Sequence, residues 1–182
     1  MHKHPFFEQD PKHFCLTLVG MPGAGKSTLA ISLARALDWA FVDTDLLLQA
    51  WYGLPLEELR ERLGNADFLQ AEEQIVLGLW LQRCVIATGG SVIYSQQAIQ
   101  KLKDIGQIIY LQAGYATISN RVSKYPQRGM ILQPEQSLQD IYLERTPKYE
   151  AAADLILSTE ENSLQQCIKK IKAWMHDKQL QP

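Results

Sequence analysis

Nothing in this sequence is long and apolar enough to cross a membrane, since no run approaches the roughly 18 residues that a spanning helix requires. The opening stretch, MHKHPFFEQDPKH, also lacks a signal-peptide core. A cytoplasmic protein without membrane attachment is therefore expected. Cysteine is scarce: Cys15, Cys84 and Cys167 lie far apart, and no C-x-x-C pair exists. That spacing offers neither a metal knuckle nor a disulfide framework, and reduced, buried thiols are expected. An excess of either charge is missing as well, with 18 Lys and Arg against 20 Asp and Glu for a net charge of −2. No basic stripe is available for nucleic acid, and no single-sign field for a membrane surface. Lys169, Lys170 and Lys172 read as the solvated face of a last helix at about 160–176. Repeats and low-complexity segments are absent too.

What is present is ordered. The 182 residues fit one domain with a substantial core. Five short apolar runs, FCLTLVG (14–20), AFVDTD (40–45), CVIATGG (84–90), QIIYLQA (107–113) and ADLILST (153–159), read as strands buried on both faces. Stretches of helical period separate them, such as KSTLAISLARAL and FLQAEEQIVLGLWL. Strand alternating with helix predicts an α/β protein with a parallel sheet covered on both sides. The segment 114–152 lacks strand character, and SKYPQRGMILQPEQS within it reads as a mobile loop.

GMPGAGKS, residues 20–27, matches G-x-x-x-x-G-K-[ST], follows a predicted strand and opens a predicted helix. In such a loop, glycines turn backbone N–H groups toward a phosphate and the helix N-terminus adds partial positive charge. Lys26 is expected to reach the β and γ phosphates of a nucleotide, and Ser27 to ligate Mg²⁺. Asp43 and Asp45 of DTD then close the second strand, which the pattern sets beside the phosphate loop. Two carboxylates near a nucleotide repel it unless a cation or a proton offsets them. That requirement suits phosphoryl transfer, with Asp43 supporting the metal and Asp45 orienting or deprotonating an attacking hydroxyl. The competing reading makes one aspartate, Asp45 before Asp43, the cap of the following helix.

P-loop, DTD, a strand ending in TGGS, an arginine-bearing loop and the late ERTPKYEAAAD together resemble the shikimate kinases, from about Phe14 to Leu157. The resemblance implies a three-layer P-loop kinase fold with a five-stranded parallel sheet, helices on both faces and a mobile lid. It implies ATP and Mg²⁺ as cofactors, and phosphorylation of the 3-hydroxyl of shikimate, by a protein read here as a monomer. Residues 1–13 form an extension, 14–177 a single domain with a substrate region at about 46–82 and a lid at about 121–135, and 178–182 a tail. By residue, the resemblance places Gly23, Ala24, Gly25, Lys26, Ser27 and Thr28 on the nucleotide loop, Asp43 and Ser27 on the metal, and Asp45 on the substrate hydroxyl. Gly89 and Gly90 match the family's glycine triplet. Arg121 falls near the adenine, Arg128 on the transferred phosphate and Arg145 on the shikimate carboxylate.

Three positions depart from the family pattern. Leu69 stands in FLQAE where the family has the second carboxylate-binding arginine of F-R-x-x-E, Ser91 replaces the third glycine, and RGMI replaces the lid's R-P-L-L. Ser91 is expected to tolerate a conformation that glycine reaches more easily, and Gly129 to loosen the lid. A weakened carboxylate clamp follows, unless Arg60 or Arg62 replaces the missing arm. Two other readings remain: a kinase of another small hydroxylated metabolite, and a non-catalytic nucleotide-binding homologue. Trp39, Trp51, Trp80 and Trp174 read as packing residues, with Trp51 and Tyr52 placed to line the substrate region.

Overall fold

The computed structural model describes residues 14–124 and 136–180. The N-terminal extension and most of the expected lid, including Arg128, Gly129 and the RGMI departure, lie outside the described residues. Five parallel strands, β1 (Cys15–Val19), β2 (Ala40–Asp43), β3 (Cys84–Ala87), β4 (Gly106–Gln112) and β5 (Leu155–Ser158), form one sheet in the order β2-β3-β1-β4-β5. The helices are α1 (Lys26–Leu37), α2 (Thr44–Tyr52), α3 (Leu56–Leu77), α4 (Gln96–Ile105), α5 (Tyr115–Lys124), α6 (Leu138–Ala152) and α7 (Leu164–Asp177).

The connection β1–α1–β2 runs one way across the sheet, and the connections through α4 and α6 run the other. Right-handed crossovers therefore put α1 on one face and α4 and α6 on the opposite face. The packing agrees: α1 lies against α7, and α4 against α3. The central strands β1 and β3 are wholly buried, as a two-sided cover demands, and β4 nearly so. The edge strands β2 and β5 are only partly covered, so the expectation of burial on both faces holds for the centre and fails at the rims.

One boundary differs from the sequence expectation. Only Asp43 of DTD belongs to β2, because its side chain accepts from the backbone N–H groups of Asp45 and Leu46 and so starts α2 at Thr44. The cap is thus Asp43, and Asp45 sits in the first helical turn. In the sheet β3 lies between β2 and β1. The register nonetheless aligns the three strand ends, with Asp43 opposite Ala87 and Ala87 opposite Leu18.

α3 is broken at Gly64, whose φ of 71° and ψ of 176° no L-residue adopts without strain. Its two halves therefore present their side chains on unrelated registers. Among the tryptophans, Trp39 is buried and Trp174 packs against the core, whereas Trp51 is 80% and Trp80 50% exposed. Trp51 and Tyr52 end α2 on the solvent side and do not line the substrate cleft, contrary to expectation. All three cysteines are buried and free, and burial pushes the Cys15 thiol up to about 11.

Candidate active site

The aligned carboxyl ends of β1, β2 and β3 open into a cleft of about 680 Å³, of the size that takes a small metabolite. The phosphate loop forms one wall. Gly23 and Gly25 hold φ of 83° and 95°, a left-handed conformation, and Gly25 at the N-cap has no side chain with which to cap α1. Its first N–H groups are consequently available to an anion. The Lys26 ammonium lies over the same loop, donating to the carbonyls of Gly20 at 2.8 Å and Met21 at 3.0 Å. Ser27 Oγ donates to Asp43 Oδ2 at 2.7 Å. Adjacent vertices of an Mg²⁺ octahedron lie about 2.9 Å apart, so this oxygen pair fits the cation's coordination shell. Thr28 borders both this cleft and a second hollow of about 330 Å³, which also takes in Ala24, Arg121 and Asn162. Arg121 Nη1 donates to Gly23 O at 2.9 Å, which ties α5 to the phosphate loop.

The other wall holds the residues expected for an acceptor. Thr44 Oγ1 accepts from Gly89 N at 3.2 Å, joining the DTD turn to the end of β3. Gly89 has no room for a side chain, because a Cβ there would meet Asp45 Oδ1 at 2.7 Å and Glu72 Oε1 still closer. Beside it, a Cβ on Gly90 would meet Arg145 Nη1 at 3.1 Å. Asp45 and Arg145 thus approach one two-residue turn. Arg145 is 2% exposed, donates through Nε to Tyr94 Oη at 3.2 Å, and forms no ion pair with a carboxylate among the described residues. Burial alone would lower its pKa. The hydroxyls of Tyr149 and Tyr94 outweigh that effect and raise it, so the guanidinium keeps its charge. A buried cation of this kind is favourable only with an anion to meet it.

Tyr149 and Glu72 escaped the sequence reading. Tyr149 lies one helical turn after Arg145, and its hydroxyl donates to Gly90 O at 2.6 Å; the i, i+4 spacing was the available signal. Glu72 is buried, and its carboxylate accepts from Ser91 Oγ. Burial lifts its pKa to about 7 and Asp45 adds to the rise, against the opposing pull of Ser91, Arg60 and Arg145. Ser91 itself has a φ of −87°, so the strain expected from its replacing a glycine is absent, and its hydroxyl instead satisfies Glu72. Leu69 lines a neighbouring hollow with Tyr94 and Ser95, outside the main cleft. Of the two arginines that stood to replace the missing arm, Arg62 pairs with Glu58 on the exposed side of α3, whereas Arg60 lines the cleft.

Against known proteins, residues 22–176 match the family model for shikimate kinase. A shikimate kinase from Bordetella avium is 32% identical over 166 residues, covering 90% of this chain and 79% of its own. The structure of a shikimate kinase from Acinetobacter baumannii in complex with shikimate superposes with a TM-score of 0.83 at 27% identity, over 91% of this chain and 94% of that one. That of a shikimate kinase from Aquifex aeolicus gives 0.78 at 24% identity, covering 92% and 99%, and speaks for the fold alone.

Proposed function

Because the chain belongs to the shikimate kinase family, we propose that it transfers the γ-phosphoryl group of ATP to the 3-hydroxyl of shikimate. The observation that carries this reading is the pairing of Asp45 and Arg145 on the Gly89–Gly90 turn, in the same cleft as the phosphate loop. A carboxylate can orient a hydroxyl and take its proton, and a buried guanidinium can hold an acid group. A small hydroxy acid satisfies both together.

In the proposed reaction the acceptor oxygen forms a bond to the γ-phosphorus while the bond to the β,γ-bridging oxygen breaks, which releases ADP. Asp45 orients the hydroxyl and receives its proton. The backbone N–H groups of Gly23, Ala24, Gly25 and Lys26 cradle the phosphates, with Lys26 and Arg128 meeting the charge of the group in transit. Thr28 and Arg121 complete the nucleotide side, and Gly89, Gly90 and Arg145 the acceptor side. Ser27 and Asp43 would hold Mg²⁺, which when bound neutralises phosphate charge. We assign the domain limits as 14–177 and read the protein as a cytoplasmic monomer that works on small molecules.

Coupled ADP release from ATP and Mg²⁺, with shikimate compared against other small hydroxy acids and sugars, tests the reading. Turnover selective for shikimate is the expected result. ATP binding without turnover of shikimate overturns it in favour of another acceptor or a nucleotide-binding role without transfer.

A further inference from the structure

We infer that Arg60, on the first half of α3, is the second guanidinium that recognises the acceptor's carboxylate, opposite Arg145. The inference rests on the hydroxy-acid reading above and assigns a residue to it that the motif pattern does not contain. Arg60 borders the same cleft as Arg145, Asp45 and Glu72, whereas Leu69, nine residues on, lines a different hollow. The break at Gly64 separates these two positions into different helical segments, and Arg60 borders the cleft from the first half while Leu69 on the second does not.

Two features prepare Arg60 for an anion. Its Cζ lies 4.6 Å from the ring centroid of Phe68, a fully buried side chain, so a ring contact helps to position the guanidinium. The charges that line the cleft also bear on an anionic ligand. Arg60 and Arg145 are near enough to repel, while Glu72, Asp45 and Glu57 attract Arg60. Glu72 is buried beside Asp45 and is driven toward its protonated form. A carboxylate lodged between Arg60 and Arg145 would offset the repulsion of the two guanidinia. A planar guanidinium with parallel donors matches a carboxylate in geometry as well as charge.

The test compares shikimate with its methyl ester, which keeps the 3-hydroxyl and loses the charge, in the wild-type protein, Arg60→Leu and Arg60→Lys. Removing a hydrogen bond between charged groups is expected to raise KM for shikimate about ten- to a hundredfold in Arg60→Leu. The KM for ATP should stay unchanged, and the preference for acid over ester should shrink by the same factor. Arg60→Lys keeps a cation without the fork and should fall between; it carries the test alone if the leucine variant does not fold. Equal weakening of acid and ester, or an unchanged KM for shikimate, overturns the assignment and leaves Arg60 as a packing partner of Phe68. A wild-type protein that does not phosphorylate shikimate overturns the acceptor reading itself, and this inference with it.

Discussion

Ser27 Oγ donates to Asp43 Oδ2 across 2.7 Å, and the second oxygen of that same carboxylate accepts from the N–H groups of Asp45 and Leu46. One side chain therefore serves both the expected metal position and the start of α2. The two jobs are separable by substitution. Asn is as good a helix cap as Asp, so Asp43→Asn should keep its denaturation midpoint while losing about a hundredfold or more in kcat through the missing charge. Asp43→Ala should lose the activity and, in addition, about 1 kcal/mol of stability. Urea unfolding beside kcat at saturating Mg²⁺ distinguishes these outcomes, and an active Asp43→Asn would remove the metal role.

Gly89 is fixed by what surrounds it. A methyl group there collides with Asp45 and Glu72, so Gly89→Ala should cost about 1–3 kcal/mol as an overpacked site. It should also raise KM for shikimate, while KM for ATP holds, because the phosphate loop lies on the other wall of the cleft. Steady-state kinetics with both substrates varied will check this, and equal loss on the two would indicate general unfolding of the cleft.

Glu72 gives the protein a pH dependence of defined sign. Its folded pKa, about 7, lies above the ordinary 4.5. Between those values the native protein holds a proton that the unfolded chain has released. The stability linked to Glu72 is thus complete below about pH 4.5, declines as pH rises to 7 and levels off above, by up to roughly 3 kcal/mol. The groups facing it are Asp45 from α2, Arg60 from its own helix, Ser91 after β3 and Arg145 from α6. Glu72→Gln should flatten the slope between pH 5 and 8 in denaturant unfolding. Parallel curves for the two proteins would mean that Glu72 is ionised throughout.

Leu69→Arg restores the family's residue at its place in the motif. If Arg60 already provides the second arm, this change should lower KM for shikimate by less than about tenfold, below the contribution of a full hydrogen bond between charged groups. A larger gain, measured in the same coupled assay, would describe a cleft with only one arm.

The sheet was legible because strands covered on both faces announce themselves as continuous apolar runs, and β1, β3 and β4 do so. The phosphate loop was legible because its chemistry needs glycines and a lysine at fixed spacing. Strand order was not, since the chain from 40 to 45 carries no mark that β3 will slip between it and β1. The end of β2 was misjudged because nothing in the letters of Thr44 and Asp45 marks them as helical, and the cap formed by the Asp43 side chain turns the backbone into α2. Ser91 misled for a related reason: replacement of glycine suggests strain only where φ is positive, and here it is not. Tyr94 and Tyr149 were hidden because a buried hydroxyl and a packing ring look alike in sequence, and the partner, Arg145, is 51 residues from one and four from the other.

The break at Gly64 frees the two halves of α3 from a common helical register. Positions 60 and 69 lie on opposite sides of it, and both border hollows that share Glu72 and Ser91. A guanidinium lost from one half can be regained from the other without disturbing the nucleotide loop, which belongs to a separate stretch of chain. Under the Arg60 assignment, the charge keeps its place in space while its position in the chain lies on the first half of α3 instead of the second. A chain judged by the motif alone would then be read as lacking a carboxylate partner that it carries nine residues earlier.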